Sequence, residues 1–379
     1  VDEKLVKEVS DKAIILKHTI FEPYQLASLF SKNKTKKISS GIIPNQKKQS
    51  FLDKTFLWIR GNLFIPDARV FWVKPSVAFL EKYIVENTID TIVTSGPPHS
   101  LHLIGLELKQ KLNLKWLSAF RDPRTTNGHP KSLRSSRFAA KKHKALERQV
   151  LNTADTIIVT SKTTKTEFEA ITSKPISVIT NGYDTEEVGK QTLDLKFSLA
   201  HIGSFLSERN PLILWESLVE LITEIPDFKS HLEIKLIGAV SQEVLETIQQ
   251  FGLNVYLNNL GYVSHVEAIA HQRKSQVLIL VEINSVDTKS IIPGKLFEYM
   301  VSNRPIIAIG PRDSDFSEII TNTNTGVFFD YSEKLKLKRV ILDFYNQFLE
   351  GKLQSNGVGL QNYSRRNLTK NLVELLNKM

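Results

Sequence analysis

The 379-residue sequence has no cysteine and only two methionines. The first absence removes disulfide scaffolds, thiolate nucleophiles and cysteine-held metal centres, and fits a reducing compartment. No apolar run approaches the roughly 18 residues needed to span a bilayer. The start at Val1 lacks the charge, apolar block and small-residue site of a leader, so a cytoplasmic protein is expected. Neither an Asp-x-Asp pair nor a histidine cluster at metal-ligand spacing is expected to serve a metal, and no metal cofactor is expected.

What is present fits two soluble α/β domains. Hydrophobic residues make up 41% and charged residues 24%, and a chain of this length can fill two ordinary cores. The formal charge of +10 is uneven: residues 1–185 hold 30 Lys and Arg against 17 Asp and Glu, and the remainder 20 against 23. The densest stretch is KSLRSSRFAAKKHKALERQ, where Arg134, Arg137, Lys141 and Lys142 stand with Lys131, Lys144 and Arg148 against Glu147 alone. Such a helix suits an anionic surface, either lipid head groups or a lipid diphosphate. A basic half joined to an acidic one, with no recognition motif, speaks against nucleic acid as the partner. Upstream, FLDKTFLWIRGNLFIPDARVFWVKPSVAFL interleaves aromatics with Arg60, Arg69 and Lys74. That is the composition of an interfacial patch, and a core hairpin with its aromatics turned inward is the competing reading.

Two short β-branched runs, IDTIVTS and ADTIIVTS, each lead into a loop and a helical pattern, with LKWLSAF between them. Strand, loop and helix in repetition predict a doubly wound sheet, whose ligands sit beyond the carboxyl ends of the strands. The loops after Ser95, Phe120 and Ser161 are therefore the places to search. SGPPHSLH offers His99 as a general base, with Ser100 as a helix cap. FRDPRTT offers Arg121 and Asp122, and a turn-forming Asp before proline is the plainer alternative. FSLAHIG, LEIKLIG, NVYLNNLGYV and VLILVEI predict a second parallel sheet. After its first strand, Gly203 and Ser204 let backbone approach a phosphate, and Arg209 can pair with one bidentately.

KSIIPGKLFEYMVSNRPIIAIGP, residues 289–311, brings a lysine, a glutamate and a helix start beside a strand. Pro293 suits the first turn of a helix, and Gly294 leaves the backbone open to a ligand. Over 293–302 the spacing predicts a helix with Lys295 and Glu298 about 60° apart on one side and Leu296, Phe297 and Met300 toward the core. A lysine in the first turn opposes the macrodipole, and a bound phosphate removes the conflict. An exposed Lys–Glu pair without a ligand is the alternative.

This segment resembles the donor site of family 4 glycosyltransferases, in a bacterial branch that reads PGKLFEYL or PSKLFEYM. TSGPPHSLHLIG, KWLSAFRDP, WIRGNLFIPDAR, PISVITNGYD and GYVSHVEA resemble the same branch. The resemblance implies a GT-B fold, with two Rossmann-like doubly wound domains facing a cleft, and retaining glycosyl transfer from a nucleoside diphosphate sugar. By matching position it implies Lys295, Arg209, Gly203, Ser204 and Gly294 on the donor diphosphate, and Glu298 on the ribose hydroxyls. It also implies Tyr262 and Val263 at the nucleobase, and Ser290, Ile291 and Ile292 near the donor sugar. Ser290 stands where many members carry glutamate, and Ala119 and Arg124 replace the usual Asp and Trp of the acceptor loop. The loops with His99, Arg121 and Asp122 border the acceptor cleft in that branch. His99 or Asp122 is then expected to orient or deprotonate the acceptor hydroxyl.

The organisation expected is an acceptor-side domain over 1–185, a linker over 186–196, a donor domain over 197–358 and a helix over 359–379. That last helix returns to the first domain, with Leu368, Leu372, Leu375 and Leu376 along one face. Asp184 is expected to brace the crossing. The family's first strand and glycine-rich loop are expected to be missing ahead of Val1. Expected partners are a nucleotide sugar, a glycan or polyprenyl-linked acceptor in cell-surface polysaccharide synthesis, and an anionic surface on the inner face of the cell membrane. A nucleotide-sugar epimerase of the same fold, or a nucleotide-sugar-binding protein without turnover, are the competing readings.

Overall fold

The computed structural model describes residues 9–20, 58–59, 61–121, 136–184, 189 and 191–379. The chain divides into two compact units, residues 1–119 with 129–155 and residues 120–128 with 156–379. The early elements are α1 (Val73–Glu86), β1 (Thr91–Gly96), α2 (Ser100–Leu112), β2 (Lys115–Phe120), α3 (Arg137–Thr153), β3 (Thr156–Val159), α4 (Lys162–Glu169) and β4 (Ile176–Val178). The β-branched runs read from the sequence are strands, in a four-stranded sheet of order β1-β2-β3-β4. Apolar residues three and four apart make the helix contacts: Val73, Val77 and Ile84 of α1 form one core with Ile104 and Leu108 of α2. Ser136 caps α3 by accepting the Ala139 N–H. That helix buries Ala139, His143, Glu147, Val150 and Leu151.

The later elements are β5 (Phe197–Ile202), α5 (Leu212–Glu224), β6 (Leu232–Ile237), α6 (Gln242–Gln250), β7 (Leu257–Gly261), α7 (His265–Lys274) and β8 (Val277–Val281). They continue as α8 (Lys295–Met300), β9 (Ile306–Ile309), α9 (Asp315–Thr323), β10 (Gly326–Phe329), α10 (Lys334–Leu349) and α11 (Arg365–Lys378). The six strands pair in parallel in the order β10-β9-β8-β5-β6-β7. Both faces are covered, because alternate residues serve separate cores. Phe197, Leu199, Val277, Ile279, Ile307 and Ile309 enter one, and Ala200, Ile202, Leu278, Leu280, Ile306 and Ala308 enter the other. The strand order reverses between β5 and β8, which is where a doubly wound sheet opens a crevice for a ligand.

Two local expectations are corrected. The run NVYLNNLGYV is not one strand: Leu253–Tyr256 is a 3-10 turn, and extended backbone begins only at Leu257. Gly252, at φ +70°, turns the chain so that Leu253 is fully buried. The helix expected over 293–302 covers only Lys295–Met300. It stops because Asn303 adopts φ +61° and Pro305 follows, while the Ser302 N–H and hydroxyl both donate to the Tyr299 carbonyl.

Near the C-terminus, the Tyr183 N–H donates to the Tyr363 carbonyl and the Arg365 N–H to the Tyr183 carbonyl. Arg365 also pairs with Asp184, 2.6 Å away, within the same compact unit. Leu368, Leu372, Leu375 and Leu376 are all half-buried along α11.

Candidate functional site

β5 delivers its carboxyl end to the strand reversal through two glycines. Gly203 follows β5 at φ +112° and Gly238 follows β6 at φ +115°, a region that only glycine occupies without strain. A Cβ on Gly238 would stand 2.7 Å from the Gly203 carbonyl oxygen. Gly238→Ala is therefore expected to lower stability by about 3 kcal/mol in urea unfolding, through strain and collision together. Gly294→Ala, whose Cβ would meet nothing within 4 Å, is expected to change it by less than about 0.5 kcal/mol. The close packing is held by backbone bonds, from the Gly203 N–H to the Ile237 carbonyl at 2.7 Å and from the Gly238 N–H to the Gly261 carbonyl at 2.6 Å.

Lys295, the first residue of α8, lays its ammonium against this loop. A Cβ on Gly203 would be 2.9 Å from Lys295 Nζ. Nζ is 3.1 Å from His201 Nε2. His201 Nδ1 lies 3.1 Å from the Ile279 carbonyl and donates to it, which leaves Nε2 the lone pair that accepts from the ammonium. Having no proton, Nε2 makes only a contact with the Ser204 carbonyl, 3.4 Å away. Burial, and next the Lys295 charge, hold His201 well below its ordinary value, so the ring is neutral. Burial, followed by the charge of Arg209, lowers Lys295 to about 8, against the pull of Glu282 and Glu298.

Arg209 closes the short turn Ser207–Arg209. Its Nε and Nη2 reach the two oxygens of Glu282 at 3.2 and 3.1 Å. Glu282 is 1% exposed and Arg209 26%, so the guanidinium both neutralises a buried carboxylate and shows an edge to solvent. Glu282 also accepts the Ile283 N–H, and its carbonyl accepts the Tyr331 hydroxyl. Glu298, one turn after Lys295, accepts from Gln272 Nε2 at 2.8 Å and remains half-buried. Tyr299 clamps α8 to the end of β5: its hydroxyl accepts the Ile202 N–H at 2.9 Å and donates to the Ile202 carbonyl at 3.2 Å.

The structure thus brings Gly203, Ser204, Arg209, Lys295 and Glu298 to one place, with Gly294 exposed beside them. Ser290 is buried in the approach to α8, and Ile291 and Ile292 are half-buried. Tyr262 is 93% exposed after β7, whereas Val263 packs on the core that α8 covers. Ser264 and Glu267 form a reciprocal cap at the start of α7. The Ser264 hydroxyl and N–H hold the Glu267 carboxyl below its ordinary range.

The acceptor-side candidates lie elsewhere in the chain. His99 precedes α2, and the helix is capped not by Ser100 but by Asp67, which accepts the Ser100 N–H at 2.8 Å. Ser100 is the first residue of the helix and His99 holds the cap position, so the Ser100 hydroxyl is not placed to cap. His102 is lowered to about 3 by burial and then by His99, and its Nδ1 meets the Thr94 and Ser118 hydroxyls at 2.9 and 3.2 Å. Arg121 is exposed, and its carbonyl accepts the Thr160 hydroxyl. Asp122 and Arg134 lie outside the described residues. Arg137, Lys141 and Lys142 are exposed on α3, and Arg137, Lys141, Lys144 and Arg148 form one stripe at intervals of four, three and four residues. The aromatic segment upstream divides: Trp58, Phe71 and Phe79 are exposed, while Ile65, Val73 and Val77 are buried.

One Asp-x-Asp spacing does occur, Asp313 with Asp315. Asp315 accepts the Thr163 N–H and Asp313 lies 3.8 Å from Lys289, so the two serve different partners. Among the described residues no three His, Asp or Glu side chains gather as a metal site, and no helix is long and apolar enough to cross a membrane. The sequence reading missed His201, Glu282, Gln272 and Tyr299. Only the first two leave a trace, as polar residues within or directly after fully buried strands.

Residues 43–187 match the family described as Glycosyltransferase Family 4. No curated protein matches the chain by sequence. Solved structures do match by fold. Sucrose-phosphate synthase from Thermosynechococcus elongatus aligns at TM-score 0.58 and 15% identity, over 82% of this chain and 78% of that one. Anabaena HepE in complex with UDP and glucose aligns at 0.59 and 14%, over 80% and 82%. The lipopolysaccharide outer core galactosyltransferase WaaB aligns at 0.53 and 14%, over 88% and 82%. The chain is thus a glycosyltransferase by its matched domain and GT-B by its fold.

Proposed function

We propose that the chain transfers a glycosyl group, with retention, from a nucleoside diphosphate sugar to a glycan or polyprenyl-linked acceptor in cell-surface polysaccharide synthesis. The observation that carries this reading is the Lys295 ammonium lying over the bare backbone of Gly203, beside Arg209, where the strand order reverses. When the bond between the sugar and the β-phosphate breaks, its electron pair stays on the phosphate oxygen. Lys295 and the solvent edge of Arg209 stabilise that growing charge, and this role needs no metal. Glu298 accepts from the ribose hydroxyls in place of Gln272, and Tyr262 and Val263 meet the base. Ser290, Ile291 and Ile292 line the sugar. His99 or Asp122, with Arg121, serves the acceptor hydroxyl.

The domain limits proposed from the sequence accompany this reading: acceptor side over 1–185, linker over 186–196, donor side over 197–358 and returning helix over 359–379. Arg134, Arg137, Lys141 and Lys142 are assigned to an anionic membrane surface on the inner face of the cell membrane. The exposed basic stripe on α3 supports that assignment.

Thermal unfolding against UDP, GDP, ADP and their sugar conjugates, with and without EDTA, tests the donor site. UDP comes first because HepE was solved with it. A nucleotide at 100 times its dissociation constant adds about 2.7 kcal/mol, a midpoint rise of roughly 2 to 4 °C. No shift with any nucleotide sinks the donor assignment, and a shift that EDTA abolishes sinks the metal-free part. Flotation with phosphatidylserine vesicles at low salt tests the membrane surface, and absence from the floating fraction removes it.

A further inference from the structure

Resting on the donor-site reading, the structure assigns His201 as a positioning residue: a neutral imidazole that holds the Lys295 ammonium over the Gly203 backbone, where it meets the diphosphate. The geometry is specific at both ring nitrogens. Nδ1 donates to the Ile279 carbonyl at 3.1 Å, which fixes the tautomer, and Nε2 faces Lys295 Nζ at 3.1 Å. The ring cannot swing away, since it stacks on Phe205 with centroids 4.2 Å apart and is almost fully buried. A lysine side chain has four rotatable bonds, and an acceptor at its tip removes the freedom that would otherwise be lost on binding. A carboxylate in this position would draw the same ammonium but would also repel the diphosphate. A neutral acceptor orients the cation and leaves its charge for the ligand.

The charged and titratable groups around Nζ come from four segments. Arg209 lies on the turn after β5, Glu282 follows β8, Glu298 is on α8 itself, and His201 belongs to β5. Burial comes first and the Arg209 charge next, and together they outweigh the two carboxylates, so Lys295 sits at about 8 in the free protein. A diphosphate arriving there raises it. Binding therefore takes up a proton around pH 8 to 9, and affinity falls as pH rises through that range.

The test is calorimetric titration of the protein with UDP, GDP and ADP from pH 6.5 to 9.5, in two buffers of different ionisation enthalpy. His201→Phe keeps the stacked ring and removes both nitrogens, and it is expected to weaken the best nucleotide at least about tenfold, the worth of one hydrogen bond to a charged group. His201→Gln, which keeps an acceptor, is expected to recover most of that loss. In a Lys295→Met background, His201→Phe is expected to have no further effect. A loss from His201→Phe that is unchanged in that background overturns the proposal, since His201 would then act without Lys295. Proton uptake that survives in His201→Phe at the same pH, with unchanged affinity, overturns it too. The ¹⁵N spectrum of the ring provides an arm that needs no ligand: Nδ1 protonated and Nε2 bare is expected from pH 6.5 to 9, and the opposite tautomer overturns the assignment. If the unaltered protein binds no nucleotide while the tautomer is as described, the donor-site reading falls and the proposal falls with it. If nucleotide binds but the variants behave additively, only the proposal falls.

Discussion

Lys295→Met lowers kcat by about 100- to 1,000-fold, the range seen when one preorganised stabiliser of a developing negative charge is removed. The same substitution is expected to raise the thermal midpoint of the free protein, because it replaces a desolvated ammonium with an apolar chain of similar length. Activity lost while stability is gained marks a charge that is held for function at a cost to the fold. The pH dependence gives a third reading. Lys295 stands at about 8 in the folded chain and 10.5 as a free side chain, so between those values the unfolded state binds more protons. Stability contributed by this group consequently rises with pH from about 8 to 10.5, and in Lys295→Met that part of the rise disappears. Steady-state transfer rates and urea unfolding at pH 7 and pH 10, each compared with the unaltered protein, measure all three. Unchanged turnover in a folded variant sinks the phosphate role, whatever the stability does.

Arg209→Ala is the second large effect, and its cause is different. The guanidinium is the only cation bound by Glu282 among the described residues, and removing it strands a carboxylate that is 1% exposed. Breaking such a pair from one side destabilises by about 2 to 3 kcal/mol, toward the low end for a buried pair because part of Arg209 is in water. The loss of stability would by itself mimic a loss of function. Arg209→Ala combined with Glu282→Gln separates the two, since the amide needs no counter-charge. The double variant is expected to regain most of the stability and to stay at least about tenfold weaker for the nucleotide, a charge-assisted bond being worth 1.5 to 3 kcal/mol. Nucleotide affinity restored to that of the unaltered protein would mean that Arg209 serves Glu282 alone.

The elements were legible wherever the pattern repeats over neighbours in the chain. VLILV and IIAI, short and rich in β-branched residues, read as buried strands, and both are. Leu296, Phe297 and Met300 face the core as their spacing requires. The ends of elements were less legible, because they are decided by one residue. Asn303 in the left-handed region stops α8 two residues before the periodicity does, and Gly252 turns NVY into a helical turn. The site was legible as a set of charges but not as a network. Lys295, Glu298 and Arg209 are visible from their types and positions, whereas their partners His201, Gln272 and Glu282 lie 94, 26 and 73 residues away in sequence. Nothing local in the chain records those distances being closed. Asp67 accepting from Ser100 across 33 residues is the same lesson in the first unit.

The loops after β5 and β6 do not hang free of the sheet. Gly203 donates to Ile237, Phe205 to Ala239, Ser241 back to Phe205 and Gly238 to Gly261, so the ladder runs on past the last residue of both strands. Amide protons in these loops should then exchange with solvent as slowly as those of the strands, although the loops lie at the edge of the crevice. In the proposed donor site a phosphate would then meet a backbone whose ordering was completed when the sheet formed, and the entropy lost on binding would fall on the ligand rather than on the protein.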